Sequence, residues 1–136
     1  QEGLYGADQQ TLEETVIRTL REKNLTAVMV ECGLGGALRE RVKSVQFSPD
    51  NVVVADEPLS HADLSQKVEL FRVERNADIA IGVSLLPETD KQILYLSISS
   101  PEGQEEYTRS FGGERALSNP WSVNNALEML RRKIQT

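Results

Sequence analysis

The residues with the greatest chemical reach lie in one short stretch, Val30-Glu31-Cys32-Gly33-Leu34-Gly35-Gly36, where an apolar run meets the chain's single cysteine and then three glycines. A thiolate is a nucleophile, and one placed where a strand turns into a helix is favoured by the partial positive charge of the first helical turn. The exposed amides of a glycine turn can hold an anion or the oxyanion of an acyl intermediate. Amide hydrolysis through a covalent intermediate needs a nucleophile, a base to deprotonate it and donors for the oxyanion. Cys32 offers the first and the turn offers the third. No base is evident, because Glu31 points to the opposite face of a strand and a carboxylate raises a neighbouring thiol's pKa. The one histidine, His61, reads as an exposed residue at a helix start.

Each of these residues also has a plain structural reading. Cys32 is either a reactive thiol or a buried small hydrophobe. Gly33, Gly35 and Gly36 either cradle an anion or simply turn the chain tightly from strand to helix. Their spacing is not that of a dinucleotide fingerprint, and no acidic residue follows at the matching strand end. Arg115 either holds a phosphate or carboxylate or is a surface arginine beside Glu114. Trp121, directly after Pro120, reads as a core anchor rather than a platform for stacking a ligand.

The elements that position these residues follow from periodicity. Thr11 and Glu14 have capping-box spacing, and Leu12, Val16, Ile17 and Leu20 share one helical face, so a helix is predicted over Thr11 to Lys23. Thr26 to Val30 is a short β-branched apolar run expected to be covered on both faces, hence central in a sheet. A helix over Ala37 to Ser44, a strand over Val52 to Val54 and a helix over Ala62 to Arg75 follow. Three strands, Asp78 to Leu85, Gln92 to Ser99 and Glu105 to Phe111, are joined by Pro- and Gly-bearing turns short enough to require antiparallel neighbours. Asn119-Pro120 reads as an N-cap and first helical residue, opening a last helix with Val123, Ala126, Leu127, Leu130 and Ile134 inward. This order predicts a three-layer α/β/α domain with a mixed, roughly five-stranded sheet.

The 136 residues suit one domain over 11–136, with 1–10 as a linker remnant. One cysteine excludes an internal disulfide, no Cys/His metal cluster is visible and no cofactor is called for. The net charge of −6 and pI near 4.9 oppose attraction to nucleic acid or an anionic membrane. Arg131, Arg132 and Lys133 form the one basic cluster and read as the cationic last turn of a helix. With no apolar stretch long enough to span a bilayer, the expectation is a cytoplasmic protein.

Several of these stretches together resemble the C-terminal domain of the CinA, or competence/damage-inducible, protein family, which includes nicotinamide-nucleotide amidases. The family reads Glu-Ser-Cys-Thr-Gly-Gly where this chain has Glu31-Cys32-Gly33-Leu34-Gly35-Gly36, so Cys32 stands at the position of the family's nucleophilic serine. NADIAIGVS resembles a family strand ending in threonine, matched here by Ser84. His61, Ser65 and Val68 fit a His-x-x-x-Ser-x-x-Val helix start, and Phe111, Gly113 and Arg115 fit a Phe-x-Gly-Asp-Arg turn. The resemblance implies that Gly33, Gly35, Gly36, Ser84 and Arg115 would line a site for a small nucleotide or anion.

The departures cluster on that same site. Between Val54 and His61 the family carries a longer segment with a tyrosine and the lysine proposed to activate the serine; this chain has only ADEPLS, with Ala55 at the tyrosine position. Ser84 runs directly into Leu85, Leu86 and Pro87, without the family's glycine-rich loop, and the closing arginine falls on Asn119. The resemblance therefore implies a divergent member, a pseudoenzyme serving as a structural, interaction or weak nucleotide- or anion-binding module. The alternative is a thiol amidohydrolase using Cys32. It further implies self-association, through apolar surface expected near Leu85 and Leu86, and a longer parent chain with a molybdopterin-binding-like domain ahead of this one.

Overall fold

The structure is a computed structural model that describes residues 10–135. The expected linker, residues 1–10, lies outside the described residues except for Gln10. Four helices and five strands follow in the order α1 (Leu12–Glu22), β1 (Ala27–Cys32), α2 (Ala37–Lys43), β2 (Val52–Ala55), α3 (His61–Glu74), β3 (Ile79–Pro87), β4 (Gln92–Ser100), β5 (Gly103–Phe111) and α4 (Ser118–Gln135). The five strands form one sheet in the spatial order β2-β1-β3-β4-β5. β1 is parallel to both β2 and β3, while β4 and β5 return as antiparallel hairpins. The mixed α/β architecture expected from the sequence is the one observed.

The layers follow from residue alternation. Along β1, Ala27 and Met29 join a core with Val16, Ile17 and Leu20 of α1, Leu38 and Val42 of α2, and Val123, Leu127 and Leu130 of α4. Val28, Val30 and Cys32 join a second core with Leu64, Val68 and Phe71 of α3. Every residue of β1 is buried, as a run apolar on both faces requires. Gly82 of β3 lets α3 come close, since a Cβ there would lie 2.1 Å from Val68 Cγ2. β5 is exposed except at Glu105, Tyr107 and Phe111, which share one face and are half-buried, as an edge strand with one partly covered face shows.

The local signals fared unevenly. Thr11 caps α1, with both halves of the capping box formed with Glu14. β1 continues two residues beyond Val30, through Glu31 and Cys32, because the ladder to β2 and β3 extends to Ala55 and Ser84. Asn119 is not the N-cap of the last helix: a 3-10 turn, Arg115–Leu117, leads into α4 at Ser118, and Asn119 Nδ2 instead donates to the Leu34 carbonyl at 3.2 Å. Pro120 remains within the first turn, where its missing N–H has no helical partner to lose. Of the apolar surface expected near Leu85 and Leu86, Leu85 is buried in the core and Leu86 remains half-buried. Trp121 packs against that core and tilts onto Phe111, with ring centroids 4.9 Å apart.

Candidate functional site

The carboxyl ends of β1 and β3 carry the motif, the usual ligand-binding end of an open α/β sheet. Gly33, Gly35 and Gly36 have φ of +78°, +63° and +91°, so the strand-to-helix turn requires glycine at each. Gly33 has a second constraint: a Cβ there would lie 2.7 Å from the Leu85 carbonyl oxygen and 3.6 Å from Pro58 Cβ. The backbone of β3 and the segment ahead of α3 close directly over the turn. Gly33 N–H donates to the Ala55 carbonyl at 3.0 Å.

Glu31 governs the rest of the turn. Its side chain is fully buried on the α2 side; Oε1 accepts from Gly36 N–H at 2.9 Å and Oε2 from Arg39 N–H at 2.7 Å. A carboxylate of the chain itself therefore occupies the amino end of α2, where an external anion would bind. Burial pushes the Glu31 carboxyl above its usual range, against the opposing pull of those backbone amides and of Arg39. The sequence signal for this cap is a glutamate at a strand end just ahead of a glycine-opened helix.

Cys32 faces the other way, as strand alternation predicts, into the core beneath α3. It is 0 % exposed, and burial pushes its thiol up, with Glu31 adding to the rise and Lys67 opposing it. Its cross-strand neighbours are Ala55 and Ser84, neither of which is a base. Ser84 is itself fully committed: Oγ accepts from Leu59 N–H at 2.7 Å and donates to the Leu59 carbonyl at 2.9 Å. That pair of bonds ties the short strap Asp56–Ser60 onto the end of the sheet.

His61 is half-buried rather than exposed. It stacks on Tyr95, with centroids 4.6 Å apart, and its Nε2–H donates to the Leu96 carbonyl at 3.2 Å. Tyr95 lies in the same cross-strand row as Cys32 and Ser84 but two strands over from Cys32, about 10 Å at ordinary strand spacing. The ring is held there by stacking and by a backbone carbonyl, so it does not serve Cys32 as a base. Arg115 lies in the 3-10 turn before α4.

A polar cavity of about 290 Å³ remains at this end, lined by Gly33, Leu85, Pro87, Gln92, Ser118 and Asn119 among others. Gln92 is 7 % exposed, and its carboxamide has no hydrogen-bond partner among the described residues. No sequence motif pointed to Gln92 or Ser118; they reach the cavity only because β4 and α4 converge there. A larger hollow, about 430 Å³, lies at the opposite end of the sheet beside Lys23, Asp78 and Glu102. It is remote from the motif, and Lys23 is engaged there with the Ile134 carbonyl. Among the described residues no cluster of His, Cys, Asp and Glu suits a metal ion, and no helix is long and apolar enough to cross a membrane.

No family model matches the chain. Individual proteins do. A Streptococcus suis protein named as competence-damage inducible is 31% identical over 119 residues, covering 80% of this chain and 30% of its own length. A CinA-like protein of Koribacter versatilis is 26% identical over 162 positions, covering 98% of this chain and 39% of its own. An alignment longer than the 136-residue chain means that this relative carries segments absent here. The chain thus spans between about three tenths and two fifths of the length of these curated relatives. Among solved structures, a CinA superfamily protein of Klebsiella pneumoniae superposes with a TM-score of 0.67 at 17% identity, covering 91% of this chain and 96% of that one. A counterpart from Enterobacter cloacae gives 0.66 at 17% identity, covering 98% of each chain. Sequence relatives and fold agree, and the chain is a CinA-like domain.

Proposed function

We propose that this CinA-like domain is catalytically silent and works as a structural or interaction module within a longer chain. The observation that carries the reading is Cys32, which is fully buried with its thiol pushed up and has Ala55 and Ser84, neither of them a base, as its cross-strand neighbours. Nucleophilic catalysis needs the opposite: an accessible thiol, a lowered pKa and a partner to take its proton. The strap pinned by Ser84 and the close approach of Leu85 to Gly33 fill the ground over the turn. The alternative thiol hydrolase would have to open that packing before any amide could reach sulfur.

A binding role is compatible with silence. The cavity beside Gly33 opens toward the first turn of α4 and is lined by Gln92, whose carboxamide has no hydrogen-bond partner among the described residues; this suits a small anion or a fragment of a nucleotide held weakly. The glycine turn itself contributes less, since the amides of Gly33 and Gly36 are already bonded within the chain. A molybdopterin-binding-like domain ahead of this one in the parent chain belongs to the same reading, supported by the greater length of the relatives.

Ammonia release from nicotinamide mononucleotide tests the proposal, comparing wild type, Cys32→Ser and Cys32→Ala at high enzyme concentration. All three are expected to match the buffer blank. Release by wild type well above Cys32→Ala would establish the thiol hydrolase instead.

A further inference from the structure

At the far edge of the sheet, β5 runs for nine residues, Gly103–Phe111, in unbroken register with β4. Among the described residues no strand pairs with its outer side. Exposed edges of this kind are commonly blunted by brevity, a proline, a bulge or charged side chains. β5 is neither short nor interrupted by a proline, and its inner register runs from Gln92↔Phe111 to Ser100↔Gly103 without a skip. It has charges instead, at Glu105, Glu106 and Arg109, and their positions are informative.

The midpoint of β5 is Tyr107. A second copy brought alongside in the antiparallel sense, about a two-fold axis through Tyr107, would pair all nine residues. Gly103 then faces Phe111, Glu105 faces Arg109, Glu106 faces Thr108 and Tyr107 faces its own copy. A two-fold axis perpendicular to the sheet keeps side chains on their own face, so symmetric registers differ by steps of one residue in the centre. Centring on Glu105, Glu106 or Arg109 sets a like charge against itself, and centring on Thr108 sets Arg109 against Tyr107. The register with the longest ladder is therefore also the one that pairs opposite charges, which cross-strand neighbours reward and like charges penalise.

The side chains on that row are already ordered within one copy. Tyr107 Oη donates to Glu105 Oε1 at 2.8 Å, and the Arg109 guanidinium carbon lies 5.7 Å from the centre of the Tyr107 ring. Lys133 of α4 holds the other Glu105 oxygen at 2.5 Å. Because Glu105, Tyr107 and Arg109 alternate along one face, two copies would bring the row Glu-Tyr-Arg against Arg-Tyr-Glu.

We propose that two copies of this chain associate by antiparallel β5-to-β5 pairing centred on Tyr107, joining their sheets into one. The inference goes beyond the proposed function and is independent of it, since neither Cys32 nor the cavity beside Gly33 takes part.

Sedimentation equilibrium of the full chain, with Arg109→Glu and Glu105→Arg measured alone and mixed, tests it. Wild type is expected to dimerise, less tightly as salt is added. Each substitution turns two attractive pairs per dimer into repulsive ones, and is expected to weaken association at least about tenfold. The equimolar mixture should form dimers again, because each variant then offers the charge the other needs. Circular dichroism checks that both remain folded; Arg109→Glu leaves the Lys133 contact intact, so its effect stands even if Glu105→Arg disturbs the fold. A wild-type monomer at millimolar concentration overturns the proposal. So does a dimer that Arg109→Glu leaves unchanged, or a mixture that associates no better than its parts.

Discussion

Replacing Glu31 with alanine should show how far the turn depends on its internal anion. The substitution removes both acceptors of the buried bonds to Gly36 and Arg39 N–H and leaves two amides at the amino end of α2 without partners. Hydrogen bonds to a charged acceptor contribute about 1.5–3 kcal/mol each, and the cost of burying the carboxylate offsets part of that, so a net loss of about 2–4 kcal/mol is expected. For a chain of this length that lowers the thermal midpoint by roughly 10 °C. The pH dependence carries a second signature. Because burial raises the carboxyl in the folded state, the native protein retains a proton that the unfolded chain gives up. The stability linked to that proton is fully present below the free-carboxylate range and is lost as pH rises through the raised folded value. Glu31→Ala should abolish this component of the slope. It should also gain more from added formate or acetate than wild type does, since either anion can occupy the vacated cap. Thermal melts across pH and anion concentration measure all three effects. A variant within about 0.5 kcal/mol of wild type, with the same pH slope, would refute the assignment of Glu31 as the cap.

Gly82→Ala should destabilise by about 1–3 kcal/mol, measured by urea unfolding, because the new methyl would lie 2.1 Å from Val68 Cγ2; shortening that partner with Val68→Ala should recover part of the loss. Ser84→Ala leaves both the N–H and the carbonyl of Leu59 without their partner and should cost about 1–3 kcal/mol, with faster amide exchange confined to the strap over Asp56–Ser60. Gly33→Ala should be worse tolerated than Gly35→Ala by thermal melt. Both positions have positive φ, but only at Gly33 does a Cβ collide with backbone, whereas at Gly35 nothing lies within 4 Å.

Much of the architecture was legible in the sequence, for identifiable reasons. The capping pair Thr11 and Glu14, the doubly covered run ending at Val30 and the short turns after Pro87 and Ser100 each have one strong local solution, and the fold uses it. Where two local signals competed, tertiary context decided. Asn119-Pro120 reads as a helix start, yet α4 begins at Ser118 because a 3-10 turn feeds it from the preceding residues. The turn's chemistry was legible as composition but not as direction: alternation assigned Glu31 and Cys32 to opposite faces, while the depth of each came only from the helices packed above them. His61 illustrates the same limit. Nothing near it in sequence announces Tyr95, and their stacking exists because β4 lies beneath the start of α3. Gln92 and Ser118 are likewise distant in sequence, and their meeting at one cavity is purely a product of topology.

The alkylation rate of Cys32 as a function of pH in the folded protein reports whether its thiol is sealed and poorly ionised. With the thiol fully buried and its pKa raised, labelling should proceed through rare opening, at least about a thousandfold more slowly than in the urea-unfolded chain, and should show no ionisation step near neutral pH. Rapid labelling at neutral pH, with a midpoint below the ordinary thiol range, would instead show Cys32 to be accessible and activated, a working nucleophile.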